Sequence, residues 1–239
     1  MKDYLKQLIE TEAPDQMKRN RVREYLQARI LQAVQESGSF VNWAFHGGTA
    51  LRFLYSTPRY SEDLDFSLID PSLDSRFRNT LQVIKRTFEI EGYQLSVKIN
   101  DKKVVNSSFV RFQKLLYDLG LSSRPAENIS IKLEVDTNPP AGAGLETTLI
   151  RRHVTLNLVH HDKASLLAGK LHAFLARPFV KGRDLYDLIW YLSDPEWPDP
   201  NLVYLNKALS QTGWKGKKLT HENWKKEIRT RIKELNWDT

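Results

Sequence analysis

Phe45-His46-Gly47-Gly48-Thr49-Ala50-Leu51-Arg52 is followed at short range by Ser61-Glu62-Asp63-Leu64-Asp65-Phe66, and the two segments together set the expected fold. The apolar run from Phe40 to Phe45 predicts a buried strand, the two glycines a turn, and Thr49 to Tyr55 a helix that begins just past them. Leu64 to Leu68 predicts a second strand. Side chains alternate along a strand, so Asp63 and Asp65 share one face while Leu64 and Phe66 face the core. Paired carboxylates are hard oxygen ligands for divalent cations, and nucleotidyl transfer commonly uses two such ions roughly 4 Å apart. Gly47 and Gly48 remove the side chains that would keep a triphosphate from the backbone, the helix start offers N–H groups, and Thr49 adds a hydroxyl. Alone, each signal has a plain reading, a glycine turn or charges that blunt a sheet edge. Their order and spacing together point to a nucleotide site.

Outward from this stretch, residues 3 to 36 read as helices separated at Pro14, and residues 77 to 91 as another. Tyr93 to Ile99 and Val104 to Leu116 form a hairpin turned at Asn100-Asp101-Lys102. Ile129 to Asp136 alternates apolar with polar, so Lys132, Glu134 and Asp136 share the open face of a strand. A third carboxylate there would complete the metal pair; Asp136 is favoured over Glu134 because it lies nearest the strand end, where open sheets place ligands. A Pro- and Gly-rich loop at 138 to 144, a strand from His153 to Val159 and helices from about Asp162 follow. The expected class is α+β, a mixed sheet flanked by helices over residues 1–160 and a helical C-terminal lobe with a basic tail over 161–239.

The chain has 239 residues and no cysteine, which excludes disulfides, thiolate zinc sites and a cysteine nucleophile and fits a reducing compartment, with cytoplasm as the default. No apolar h-region opens it, and no stretch approaches the roughly 20 residues of a membrane span, so a soluble protein is expected. Between Lys207 and Lys233 stand nine Lys or Arg against two acids, an excess equal to the +7 of the whole chain. Lys215, Lys217, Lys218, Lys225, Lys226 and Arg229 interleave with Trp214, Trp224 and Trp237, a mixture that grips phosphates and stacks on unpaired bases, or else anchors a terminal helix under a solvated face. Lys163, Lys170 and Arg177 fall seven apart and predict one basic helical face. Arg52 and Arg59 suit either phosphate or an ion pair with Glu62 or Asp63, and His46 either nucleotide or a structural role. His160-His161-Asp162 lacks a third zinc ligand at the usual spacing.

The stretch from Phe45 to Phe66 resembles the signature of the AbiEii/AbiGii toxin family, minimal nucleotidyltransferases of the DNA polymerase β superfamily related to the mycobacterial MenT toxins. Lys170-Leu171-His172-Ala173-Phe174-Leu175-Ala176-Arg177, followed by Lys181-Gly182-Arg183-Asp184-Leu185-Tyr186-Asp187-Leu188, resembles the family's later lysine and aspartate motifs. The resemblance implies a nucleotidyltransferase core with a helical C-terminal part, magnesium or manganese, a nucleoside triphosphate substrate, and a toxin role opposed by a cognate antitoxin. Some relatives add nucleotides to the 3′ end of tRNA, so tRNA or another RNA is the implied acceptor. By motif position Asp63 and Asp65 would bind metal, with Asp136 completing the set. Gly47, Gly48, Thr49, Arg59 and Ser61 would meet the nucleotide, Lys170 the triphosphate, and Asp184 or Asp187 would support the site. A phosphotransferase using the same residues and a non-catalytic RNA- or partner-binding module are the rival readings.

Overall fold

Pro14 separates two helices: α1 (Lys2–Ile9) stops before it and α2 (Asp15–Glu36) starts after it, as a residue without an N–H is tolerated at a helix start. These and all further structural statements concern residues 2–235 of a computed structural model. Gly38, at φ 74°, turns the chain into a short 3₁₀ turn over Ser39–Val41. The first strand, β1 (Trp43–His46), is therefore shorter than the apolar run predicts. Asn42 closes its start by accepting from the Asp70 N–H (2.7 Å) and donating to the Asp70 carbonyl (3.1 Å).

β1 leads straight into α3 (Gly47–Tyr55), then β2 (Leu64–Leu68), α4 (Phe77–Ile90), β3 (Leu95–Asn100) and β4 (Val105–Phe112). After α5 (Leu115–Asp118) come β5 (Ile129–Asp136), β6 (Leu145–Arg152) and β7 (Val154–His161). The helices α6 (Lys163–Ala176), α7 (Gly182–Leu192), α8 (Leu202–Gln211) and α9 (Trp224–Lys233) follow. The expected hairpin forms, but its second strand ends at Phe112, and Leu115–Asp118 is a helical turn entered through Lys114 at φ 56°. β6 adds to the expected strands, because threonines and arginines dilute its apolar alternation.

The sheet is mixed, in the order β3-β4-β5-β2-β1-β7-β6. β1 runs antiparallel to β2 and parallel to β7, β2 parallel to β5, and β3, β4 and β5 are antiparallel neighbours. The α+β class with a mixed sheet flanked by helices is thus the observed architecture. β5 alternates as its sequence predicts, with Ile129, Ile131, Leu133 and Val135 buried. Phe66 on β2 takes Trp43 and Phe45 at ring centroid distances of 5.3 and 5.2 Å, within the range of favourable tilted pairs. The chain forms two compact units, residues 1–138 with 147–160, and residues 139–146 with 161 onward.

Glu24, buried on α2, ties the first unit together. It accepts from Arg52 of α3, lies 3.2 Å from Arg152 Nε on β6, and lies 3.4 Å from His153 Nε2. Burial alone would raise its pKa, but His153, Arg52 and Arg152 hold it down at about 2. Arg52 is thereby assigned to structure: its guanidinium also donates to the Thr57 carbonyl (2.7 Å) and lies 4.1 Å from the Tyr60 ring centre. A carboxylate whose folded pKa is depressed stabilises the fold above its unfolded value near 4.5, and that stability is lost as pH falls toward 2. Glu24→Gln is expected to lower unfolding free energy by about 2 kcal/mol near pH 7, since it removes the charged partner of two half-buried guanidinium groups that keep their backbone acceptors. The gap between parent and variant in denaturant melts should narrow as pH drops from about 5 to about 2.

Candidate active site

Helix α3 starts two residues earlier than the sequence predicts, at Gly47, so both glycines belong to its first turn. Gly47 has φ 80°, a backbone state that disfavours any side chain, and a Cβ placed there would lie 2.4 Å from Asp65 Oδ2. The Asp65 carboxylate therefore rests in the space that the missing side chain leaves. At Gly48 a Cβ would meet Ser61 Oγ at 2.8 Å and Arg59 Nη2 at 2.9 Å. A carboxylate, a hydroxyl and a guanidinium thus converge on one helix start, whose first N–H groups have no partner inside the helix. His46 is the N-cap residue, opposite Asp65 in the β1–β2 register.

Asp63 is half-buried just before β2, and its backbone is held from two sides. Thr49 is fully buried and donates its hydroxyl to the Asp63 carbonyl, so this hydroxyl braces the carboxylate strand where the sequence assigned it to phosphate. Gln27 of α2, 2% exposed, donates to the carbonyls of Ser61 and Glu62, each at 3.0 Å. The sequence reading did not single out Gln27; an amide among the apolar positions of a long helix was the available signal.

The strand register bears directly on the third carboxylate. β5 is parallel to β2, which pairs Asp65 with Glu134 and Ser67 with Asp136. The end of β5 that carries Asp136 therefore lies beside the far end of β2, about 7 Å along the strand from the level of Asp65. Glu134 sits beside Asp65 and pairs with Lys132 at 2.8 Å. Asp136 accepts from the Asn138 N–H, and burial raises its pKa.

In the second unit, α6 and α7 bring together the later motif. Lys170, 13% exposed, places Nζ 2.6 Å from Asp187 Oδ2 and 3.4 Å from Asp184 Oδ1, and Arg177 also pairs with Asp184. Two cations face two buried carboxylates, so the charges balance within the cluster. The three residues of the expected basic row have separate partners: Lys163 covers the Trp197 ring at 5.0 Å, Lys170 turns to the aspartates, and Arg177 follows the end of α6 and pairs with Asp184. His160 and His161 are both buried with separate neighbours, Thr148 at 2.9 Å and the Tyr204 ring respectively.

The profile described as Nucleotidyl transferase AbiEii toxin, Type IV TA system, matches residues 29–239. The chain belongs to the AbiEii nucleotidyltransferase toxin family. The crystal structure of a candidate nucleotidyltransferase from H. pylori superposes with a TM-score of 0.54 at 19% identity, over 88% of this chain and 92% of that one. JHP933 from Helicobacter pylori aligns over 90% of each chain at 19% identity, with a TM-score of 0.49. Among curated proteins none matches this sequence.

For this AbiEii-family nucleotidyltransferase, Asp63 and Asp65 fit a hard divalent cation by donor chemistry, and Gly47 leaves Asp65 unobstructed by a Cβ. Among the described residues no three His, Cys, Asp or Glu side chains gather into a metal cluster. Magnesium-like ions are often held by one or two carboxylates with substrate phosphates filling other positions. Lys215, Lys217, Lys218, Lys225, Lys226 and Arg229 are all exposed, whereas Trp224 is buried as an anchor of α9; Trp237 lies outside the described residues. No helix among the described residues is long and apolar enough to cross a membrane.

The two glycines should differ on substitution. Gly47→Ala forces a side chain against Asp65 in a left-handed backbone, and a displacement of about 1 Å at a reacting group can cost about 100-fold. Nucleotidyl transfer by Gly47→Ala is expected to fall by about that factor. Gly48→Ala meets only the ends of Ser61 and Arg59, so a loss of roughly tenfold, expressed in KM for the triphosphate, is expected from steady-state kinetics.

Proposed function

We propose that this AbiEii-family protein is a metal-dependent toxin of the cytoplasm that transfers a nucleoside monophosphate from a triphosphate to the 3′ end of an RNA, with tRNA as the acceptor and a cognate antitoxin restraining it. The observation that carries the reading is the seating of the Asp65 carboxylate against Gly47 at the start of α3, with Arg59 and Ser61 against the adjoining Gly48. In this reading the first amides of α3, with Arg59 and Ser61, hold the phosphates. Asp63 and Asp65 would hold the divalent ions, which when bound would supply charge neutralisation at the phosphates.

The acceptor hydroxyl oxygen forms a bond to the α-phosphorus as the bond to the bridging oxygen breaks. Pyrophosphate leaves with that electron pair, and the hydroxyl proton passes to a carboxylate. We assign this proton to Glu134 before Asp136, because the register sets Glu134 beside Asp65. Lys170 is assigned to the triphosphate by its motif, with Asp184 and Asp187 positioning its ammonium. The exposed lysines of residues 215–226 and Arg229 supply contacts to RNA phosphates.

Incubation with total RNA, magnesium or manganese, and each α-labelled triphosphate in turn should label RNA, and Asp63→Ala should reduce labelling by at least about 1000-fold. Glu134→Gln should lower the rate about tenfold more than Asp136→Asn does. Transfer of γ-label alone would establish a phosphotransferase instead. Cellular toxicity unchanged in both Asp63→Ala and Asp65→Ala would establish a non-catalytic binding module.

A further inference from the structure

Helix α8 ends in a cap that fixes the position of an indole. Gly213 takes φ 75°, its N–H donates to the Ser210 carbonyl (3.1 Å), and the Trp214 N–H donates to the Leu209 carbonyl (3.0 Å), the paired bonds of a Schellman motif. Gly216 then lets the Trp214 ring fold back onto the chain: a Cβ at 216 would lie 2.3 Å from Trp214 Cζ2. The indole Nε1 donates to the Lys217 carbonyl at 3.2 Å. Asn206 ties the following segment to α8, donating to the Leu219 carbonyl and accepting from the Leu219 N–H, both at 2.8 Å. Asn223 accepts from the Thr220 N–H (2.8 Å) and donates to the Lys218 carbonyl (3.0 Å). The half-buried indole is therefore set in place by backbone, with little left to order on binding.

Between α8 and this segment lies a groove of about 720 Å³, lined by Leu202, Leu209, Leu219 and Trp214, with Lys207 and Lys218 against Glu222 among its charged residues. Both lysines are exposed, and the surrounding segment carries the chain's basic excess. An apolar slot with a fixed aromatic wall and cations at its rim matches a nucleobase joined to phosphates. We propose that this groove is a stacking subsite for an unpaired base of single-stranded RNA, the base lying on Trp214 and the adjoining phosphates meeting Lys207 and Lys218. The subsite rests on the reading of an RNA acceptor given above.

The test is equilibrium binding of a fluorescently labelled single-stranded RNA of about a dozen nucleotides to the full chain, without triphosphate and in the presence of a chelator. Trp214→Ala is expected to weaken binding about tenfold, and Trp214→Phe, which keeps a ring, by less than about threefold. A 12-base-pair duplex should bind more weakly than the single strand, with an affinity that Trp214→Ala leaves unchanged. Melting curves of both variants identify a folding defect, and Trp214→Phe keeps the comparison valid if the alanine variant unfolds. Binding by Trp214→Ala within twofold of the parent, or an equal loss for duplex and single strand, overturns the subsite. Displacement of the RNA by equimolar free nucleoside monophosphate overturns it in favour of a mononucleotide pocket. Loss of antitoxin neutralisation with RNA binding intact overturns it in favour of a protein partner. The two tests are independent: failure of label transfer in the α-label assay counts against the catalytic reading alone, and unaltered RNA binding by Trp214→Ala in the triphosphate-free assay counts against the subsite alone.

Discussion

The carboxylate of Asp65 occupies the space where residue 47 would carry a side chain, and much of the first unit is arranged so that it can. Gly47 must be glycine twice over, for its left-handed φ of 80° and for the 2.4 Å that would separate a Cβ from Asp65 Oδ2. That contact brings the end of β1, the start of α3 and the carboxylate strand β2 to one point. A helix start tolerates a nearby negative charge because its exposed N–H groups carry partial positive charge. The same electrostatics favours phosphate at a helix start, which is the basis of the role proposed for this turn.

Around this point, side chains with little claim on the chemistry hold the backbone. Thr49 and Gln27 take the carbonyls of residues 61 to 63 and so fix the backbone that carries Asp63 into β2. Arg52 is drawn away to Glu24 and the loop at Thr57. Buried charges in both units follow one rule, that each is met by its opposite: Glu24 by Arg52 and Arg152, Asp184 and Asp187 by Lys170 and Arg177. Burying charge is tolerable only when paired and hydrogen-bonded, so these networks fix geometry more than they add net stability.

The legible parts of the site were those whose chemistry is local. A Gly-Gly turn before an Asp-Leu-Asp strand announces itself within twenty residues, and the alternation of residues 129 to 136 announces a strand with one open face. Tryptophans proved harder, because spacing does not say which face is covered: Trp224 is buried under α9, while Trp214 is held half-exposed by Gly216. Strand β6 escaped for the same reason, its polar residues hiding the period that burial on one side would impose.

By itself the sequence determined the α+β class, the two-helix start broken at Pro14, the Gly-Gly turn that opens a helix after a strand, and the family. Tertiary structure alone decided register. Which of Glu134 and Asp136 stands beside Asp65 depends on β5 running parallel to β2 with a particular offset, a long-range pairing that no local pattern encodes. It likewise decided that the Thr49 hydroxyl braces a carbonyl and that Lys170 meets two carboxylates, because side-chain partners distant in sequence become neighbours only once the core has packed.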